Sequence, residues 1–125
     1  MGLKFSKYER LASKKIIERL FKYENKIYLN SFTLLWSTSD NSNCRVEILF
    51  SVPKKKVIKA VNRTHIKRIM RECYRTNKDY IYGILNSNIY VALIYNTSEI
   101  MKYAHLEREL LEIFDVLGKK INESI

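Results

Sequence analysis

The chain has 125 residues, 46% hydrophobic and 12% aromatic, which suits one domain with its own core and is too apolar for an intrinsically disordered tail. With three Gly and one Pro, collagen-like and linker-rich designs are excluded, and no apolar run approaches the ~20 residues of a bilayer span. Lys and Arg outnumber Asp and Glu by 23 to 13, a net charge of +10, so the expected partner is a polyanion, with nucleic acid preferred over an anionic membrane surface.

Met1 to Leu20 holds no uninterrupted apolar stretch of the secretory kind, and a cytoplasmic address is expected. Phe5 to Leu11 reads as extended or irregular. Ser13 is a candidate N-cap. Behind it Ile16, Ile17, Leu20 and Phe21 recur at helical spacing, predicting a short amphipathic helix to about Tyr23. Lys26 to Ser37 alternates, with Phe32, Leu34 and Trp36 on one side and Thr33 and Leu35 on the other, which predicts a strand. Ser37 to Asn43 is a turn by composition. Cys44, Val46, Ile48, Phe50 and Val52 alternate with Arg45, Glu47, Leu49 and Ser51 in a second strand ending at Pro53. The two runs read as an antiparallel hairpin, with room for a third short strand inside the first.

Lys59 to about Asn77 has helical period and lacks Gly and Pro. Asn88 to Tyr95 is rich in Ile, Val and Tyr and reads as a strand buried on both faces. After a turn at Asn96 to Glu99, Tyr103, Leu106, Leu110, Ile113, Phe114 and Leu117 mark a final amphipathic helix with Gly118 as its C-cap. The order predicts one α/β (α+β) domain over residues 1–125, a small sandwich. Cys44 and Cys73 form no Cys-x-x-Cys pair and are expected to be free, buried thiols.

Ser51 to Arg71 concentrates the charge. It holds eight basic residues, Lys54, Lys55, Lys56, Lys59, Arg63, Lys67, Arg68 and Arg71, and no Asp or Glu in 21 residues. A merely solvated face normally mixes both signs to limit self-repulsion. With Arg63 as zero and about 100° per residue, Lys67, Arg71, Thr64, Arg75 and Arg68 fall at roughly 40 to 140°. Ile66, Ile69, Met70, Cys73 and Tyr74 occupy the opposite arc. One face is built to pack on a sheet, while the other is a guanidinium and ammonium stripe suited to phosphate oxygens.

Within that stripe, Ala60-Val61-Asn62-Arg63-Thr64-His65-Ile66-Lys67-Arg68-Ile69-Met70-Arg71-Glu72 resembles the central signature of the bacterial ribonuclease P protein subunit, Ala-Val-x-Arg-Asn-Arg-Ile-Lys-Arg-x-x-Arg-Glu. Phe50-Ser51-Val52-Pro53-Lys54-Lys55 is similar to the family's Ser-Val-x-Lys-Lys. Arg10-Leu11, Leu20-Phe21-Lys22 and Ala92-Leu93-Ile94 followed by Tyr103 and Leu106 match in the same order. The resemblance implies a mixed sheet of about four strands with three helices and the basic helix in a βαβ crossover. It implies a subunit that joins a large catalytic RNA and helps it remove the 5′ leader of precursor tRNA. Hydrolysis is then the work of the RNA and its Mg ions, and no protein partner is expected. Its cleft residues map onto Phe21, Ser51, Lys54, Thr64, Lys67, Arg68 and Arg71, and the RNA-facing set extends to Lys55, Arg63 and His65.

Four positions depart from the family pattern. Ile17 and Leu35 stand where relatives often carry aromatics, which weakens base stacking there; Tyr28 and Trp36 are the neighbouring aromatics, with Trp36 expected on the opposite strand face from Leu35. Thr64 keeps a hydroxyl but loses an amide fork, and His65 puts an imidazole in place of an Arg guanidinium. Phe21 has plain core packing as its competing reading.

Catalysis by the protein itself is not expected. Phosphodiester hydrolysis by metal ions needs clustered carboxylates, whereas Glu9, Glu18, Glu24, Asp40, Glu47, Asp79 and Glu99 are scattered. His65 and His105 lie 40 residues apart, neither Cys has triad spacing to a His, and paired zinc ligands are missing. Two other classes use the same stripe. One is a general RNA-binding or ribosome-assembly protein outside any catalytic complex; the other is a peripheral membrane protein, disfavoured because its apolar arc is needed for the core.

Overall fold

The computed structural model describes residues 9–22, 25–39 and 45–123. Four helices, α1 (Lys14–Lys22), α2 (Ala60–Thr76), α3 (Lys78–Ile84) and α4 (Tyr103–Glu123), accompany four strands, β1 (Lys26–Leu29), β2 (Phe32–Thr38), β3 (Val46–Ser51) and β4 (Ile89–Tyr95). The sheet order is β1-β2-β4-β3, with β3 parallel to β4 and the other pairs antiparallel. This is the expected α+β class with one helix more than expected.

The first alternating run folds on itself. β1 and β2 pair through Leu29↔Phe32, and Asn30 between them adopts a φ of 55°, a left-handed turn conformation that Asn tolerates better than most residues. The expected hairpin between the two runs is not formed. β4 sits between β2 and β3, with Ala92 in register with both Leu35 and Leu49. The reason is burial: Ile89, Val91, Ala92, Leu93 and Tyr95 are all inaccessible, and a strand apolar on both faces belongs in the centre of a sheet. α2 and α3 make the crossover from β3 to β4.

Phe32, Leu34, Trp36, Val46, Ile48, Phe50, Val91 and Leu93 face the layer formed by α2, α3 and α4, where Ile66, Met70, Leu106, Leu110 and Phe114 complete the main core. Trp36 therefore does face away from Leu35. Leu35, Ala92 and Leu49 face the other way and pack with Leu11, Ile16, Ile17 and Leu20, so α1 covers that face. Its start is capped as expected, with the Ile16 amide donating to Ser13 Oγ at 3.4 Å.

The stretch before α1 is partly described. Residues 1–8 lie outside the described residues, as do 23, 24 and 40–44, Cys44 among them. Arg10 forms a parallel bridge with Ile48, through Ile48 N donating to Glu9 O at 2.7 Å and Leu11 N to Ile48 O at 3.0 Å. A buried ion pair fastens this segment: Lys78 Nζ lies 2.8 Å from Glu9 Oε1, and Tyr82 Oη donates to Glu9 Oε2 at 3.1 Å.

Gly118 is not a C-cap. α4 runs past it to Glu123, and Ile121 beyond it is buried. A Cβ at position 118 would stand 3.0 Å from Ile84 O, so glycine is there to let α3 approach α4.

Two outcomes follow from these buried groups. Removing one partner of the ion pair, as in Glu9→Leu, is expected to cost about 3–5 kcal/mol in urea unfolding by stranding Lys78, whereas Glu9→Leu with Lys78→Met recovers most of it. Cys73 is free and inaccessible, and burial is the main cause that pushes its thiol up to about 12. The native thiol therefore stays protonated while an unfolded one ionises near its ordinary value, so its linkage lowers stability as pH rises above about 9. In a Cys44→Ser variant at pH 8, iodoacetamide should label Cys73 only at the rate of opening; labelling as fast as a free thiol peptide would contradict this.

Candidate nucleic-acid interface

The basic run is displayed by a turn followed by a helix. Behind Ser51, Lys56 N and Val57 N both donate to Pro53 O at 3.1 Å. The turn leaves Lys54, Lys55 and Lys56 exposed while Val57 is buried. α2 then begins at Ala60 with Lys59 at its N-cap, no capping side chain, and no acidic residue in its first turn. That end is electrostatically unfavourable for so many cations. It is held instead by Arg63, whose Nη1 donates to Val57 O at 3.0 Å and Ile58 O at 2.6 Å. Arg63 was expected among the RNA-facing residues; its guanidinium serves at least in part as a clip between helix and turn.

The helical arcs fall as the periodicity predicts. Ile66, Met70, Cys73 and Tyr74 are fully buried, while Thr64, Arg68 and Arg71 are exposed and Lys67 is half-buried. Lys54, Lys55, Lys56, Lys59, Lys67, Arg68 and Arg71 enter no ion pair among the described residues. Arg75 is different: its guanidinium pairs with Glu72 one turn back. That contact raises the Arg75 pKa and lowers the Glu72 pKa. The stripe therefore ends at Arg71. The Thr64 hydroxyl donates to Ala60 O at 3.1 Å, so in this rotamer it turns lone pairs, not a proton, toward solvent. His65 is exposed, at roughly 200° on the same wheel and outside the stripe.

Of the remaining predicted residues, Ser51 ends β3 and Phe21 lies on α1. Ser51 is half-buried on the sheet face opposite Phe50, the face that α1 covers. Phe21, in the last turn of α1, is 49% exposed, which sets aside plain core packing. Lys67 and Arg71 line a cavity of about 150 Å³ with Arg10, Leu11, Ile48, Leu49 and Phe50. Arg10 was not among the expected site residues. Its place depends on the parallel bridge to Ile48, a pairing across 38 positions that no local pattern signals. The structure thus gathers Lys67 and Arg71 at one cavity, leaves Lys54, Lys55 and Arg68 exposed outside its lining, and sets Ser51 on the sheet face that α1 covers, with Phe21 exposed on α1 itself.

The chain as a whole matches a known family. A family model described as Ribonuclease P matches residues 5–118. The chain belongs to the ribonuclease P protein family. It is 30% identical over 115 residues to the ribonuclease P protein component of Geotalea uraniireducens, covering 92% of this chain and 96% of that protein. With the ribonuclease P protein component of Pseudoalteromonas translucida it shares 34% over 119 residues, 95% of this chain and 78% of that one. The fold is that of the ribonuclease P proteins of Staphylococcus aureus, with TM-score 0.71, 20% identity, and 87% of this chain and 94% of that chain covered, and Thermotoga maritima, with TM-score 0.70, 21% identity, and 86% and 96% covered. Membership makes tRNA-processing ribonucleoprotein function the setting in which this ribonuclease P protein's cationic surface is to be understood.

The Arg63 clip has its own test. Arg63→Ala removes both carbonyl contacts and should lower stability by about 1–3 kcal/mol. It should also raise amide exchange at Lys56 to Lys59 selectively; unchanged exchange there would mean the turn is held without Arg63.

Proposed function

We propose that this chain acts as the protein subunit of ribonuclease P, binding the catalytic RNA and the 5′ leader of precursor tRNA while the RNA cuts the leader off. The observation that carries this reading is the run of cations Lys67, Arg68 and Arg71 on one arc of α2, beside the Lys54–Lys56 turn, with no carboxylate partner among the described residues. Such a surface offsets phosphate–phosphate repulsion where leader and catalytic RNA come together, and each neutralised phosphate releases condensed counterions. Its contacts contribute affinity and position more than sequence readout.

Mg ions belong to the RNA in this reading. Among the described residues no group of three or more His, Cys, Asp or Glu is gathered where it could hold a metal. The protein's part is to lower the Mg concentration needed by supplying fixed positive charge, and to favour precursor over mature tRNA, which has no leader to hold. We place its work in the cytoplasm, with the tRNA processing of its family. Among the described residues no helix is long and apolar enough to cross a membrane.

Reconstitution tests this directly. Mixed with a ribonuclease P RNA and a precursor tRNA at low Mg, the protein should restore leader cleavage. A general RNA-binding or ribosome-assembly protein would bind without restoring it. Lys67→Ala with Arg68→Ala should erase most of the preference for precursor over mature tRNA, and log affinity should fall against log salt with a slope of several units. Unaltered preference in the double variant would remove these residues from the leader site.

A further inference from the structure

We infer that Tyr28 is a base-stacking platform for the single-stranded leader, a role that rests on the leader-binding reading above and adds to it a contact on the far edge of the sheet. β1 is the edge strand, opposite β3. Register pairs Lys26 with Leu35 and Tyr28 with Thr33, and paired residues share a sheet face, so Lys26 and Tyr28 stand on the face that α1 crosses. From Tyr28 the row continues through Thr33 and Ile94 to Ser51. Three strand spacings make this row about 14 Å long, and its far end leads into the Lys54–Lys56 turn. An aromatic and a lysine thus stand at one end of this row and a cationic turn at the other, with Thr33 buried and Ile94 and Ser51 half-buried between them.

The Tyr28 side chain is 69% exposed. It makes no hydrogen bond or ring contact among the described residues. A single exposed aromatic is ordinary on any surface; here its mounting is not. The hairpin that carries it turns tightly at Asn30, and the Ser31 amide donates to Glu109 Oε1 at 3.0 Å. Glu109 is nearly buried, and its other oxygen lies 2.6 Å from His105 Nε2. The ring is thus held out on a strand braced to α4, and little further ordering is needed for a base to lie on it. Two apolar residues of this face, at positions where the resemblance would place aromatics, cannot take the role. Leu35 is 2% exposed, and Ile17 is half-buried against it; both are consumed in packing α1. Sheet-borne aromatics that stack unpaired bases are a general solution to sequence-tolerant single-strand binding.

The experiment uses holoenzyme reconstituted with ribonuclease P RNA and precursor tRNA carrying 2-aminopurine at successive leader positions. Wild type should quench the fluorescence of one position and bind precursor more tightly than mature tRNA. Tyr28→Phe should keep both properties. Tyr28→Ala should lose the quenching and weaken precursor binding about tenfold, with mature tRNA unaffected. Tyr28→Val, which suits the strand but has no π-face, should behave like the Ala variant and guards against misfolding as the cause. If wild type prefers precursor and quenches, yet the Ala and Val variants do the same, Tyr28 is not the platform and the leader-binding reading stands. If wild type shows no preference for precursor, that reading falls and this inference falls with it.

Discussion

Coulomb repulsion within residues 51–71 is the constraint that the rest of the structure answers. Eight cations occupy this stretch without a carboxylate. Arg63, Lys67 and Arg71 recur four residues apart, where like charges each oppose the helix by a few tenths of a kcal/mol. The N-terminus adds an unfavourable dipole interaction with no capping side chain to offset it. Against this stand Ile66, Met70, Cys73 and Tyr74, all at 0% exposure. A fully buried large apolar side chain contributes ~1.5–3 kcal/mol, so Ile66 and Met70, with Cys73 and the Tyr74 ring beside them, outweigh the local electrostatic costs. The helix exists because of what it packs against. Its charged face is thereby kept available to an anion, and binding one relieves the repulsion and stabilises the folded state by linkage.

Much of this was legible in the sequence. Periodicity alone separates the two arcs of α2, since a helix without Gly or Pro leaves little ambiguity about facing. The single buried face of α1 and its Ser13 cap were equally readable. Strand pairing was not. Neighbouring strands in sequence usually pair, and nothing local says that β4 displaces β3 from β2. The clue lay at long range: Ile89 to Tyr95 is apolar at nearly every position, which marks it as the central strand, and a central strand must separate two others. α3 is hidden in the sequence for a different reason. Ile81 and Leu85 continue the apolar period of α2, but the core-facing position between them and Tyr74 is Lys78, a charge that hides the pattern until its partner Glu9 is seen. Gly118 reads as a cap because glycine at a helix end and glycine at a helix crossing look the same in sequence; only the 3.0 Å approach of Ile84 O to a Cβ built there separates them.

The candidate site was legible by charge and less so by shape. Thr64, Lys67, Arg68 and Arg71 could be placed on one arc, but the clip role of Arg63 and the neutralisation of Arg75 require coordinates. Both narrow the stripe. Arg10 enters through a backbone bridge, and Tyr28 gains its meaning from cross-sheet register, two relations that depend on topology and leave no local trace. The departures from the family pattern are of two kinds. Ile17 and Leu35 exchange possible stacking surface for tighter packing of α1 on the sheet. Thr64 and His65 alter polar reach on the exposed side of α2 without touching its buried arc.

The boundaries of the cationic surface set its scale. It begins at the Lys54–Lys56 turn and stops at Arg71, because Glu72 neutralises Arg75 on the next turn. From Arg63 to Arg71 the helix rises about 12 Å, to which the turn adds a few ångströms. That length accommodates a few successive phosphates of one strand and is too short to track a long duplex. A footprint of this size gives a strong but bounded salt dependence, because each phosphate contributes a roughly fixed increment to counterion release. In the proposed leader-binding role, discrimination between RNAs that all carry phosphates comes from where the strand is unpaired, since only unpaired bases can present faces to the sheet. The same fold that concentrates charge on α2 also leaves one sheet face only partly covered by α1, and these two surfaces meet at the end of β3, where Ser51 passes into the lysine turn.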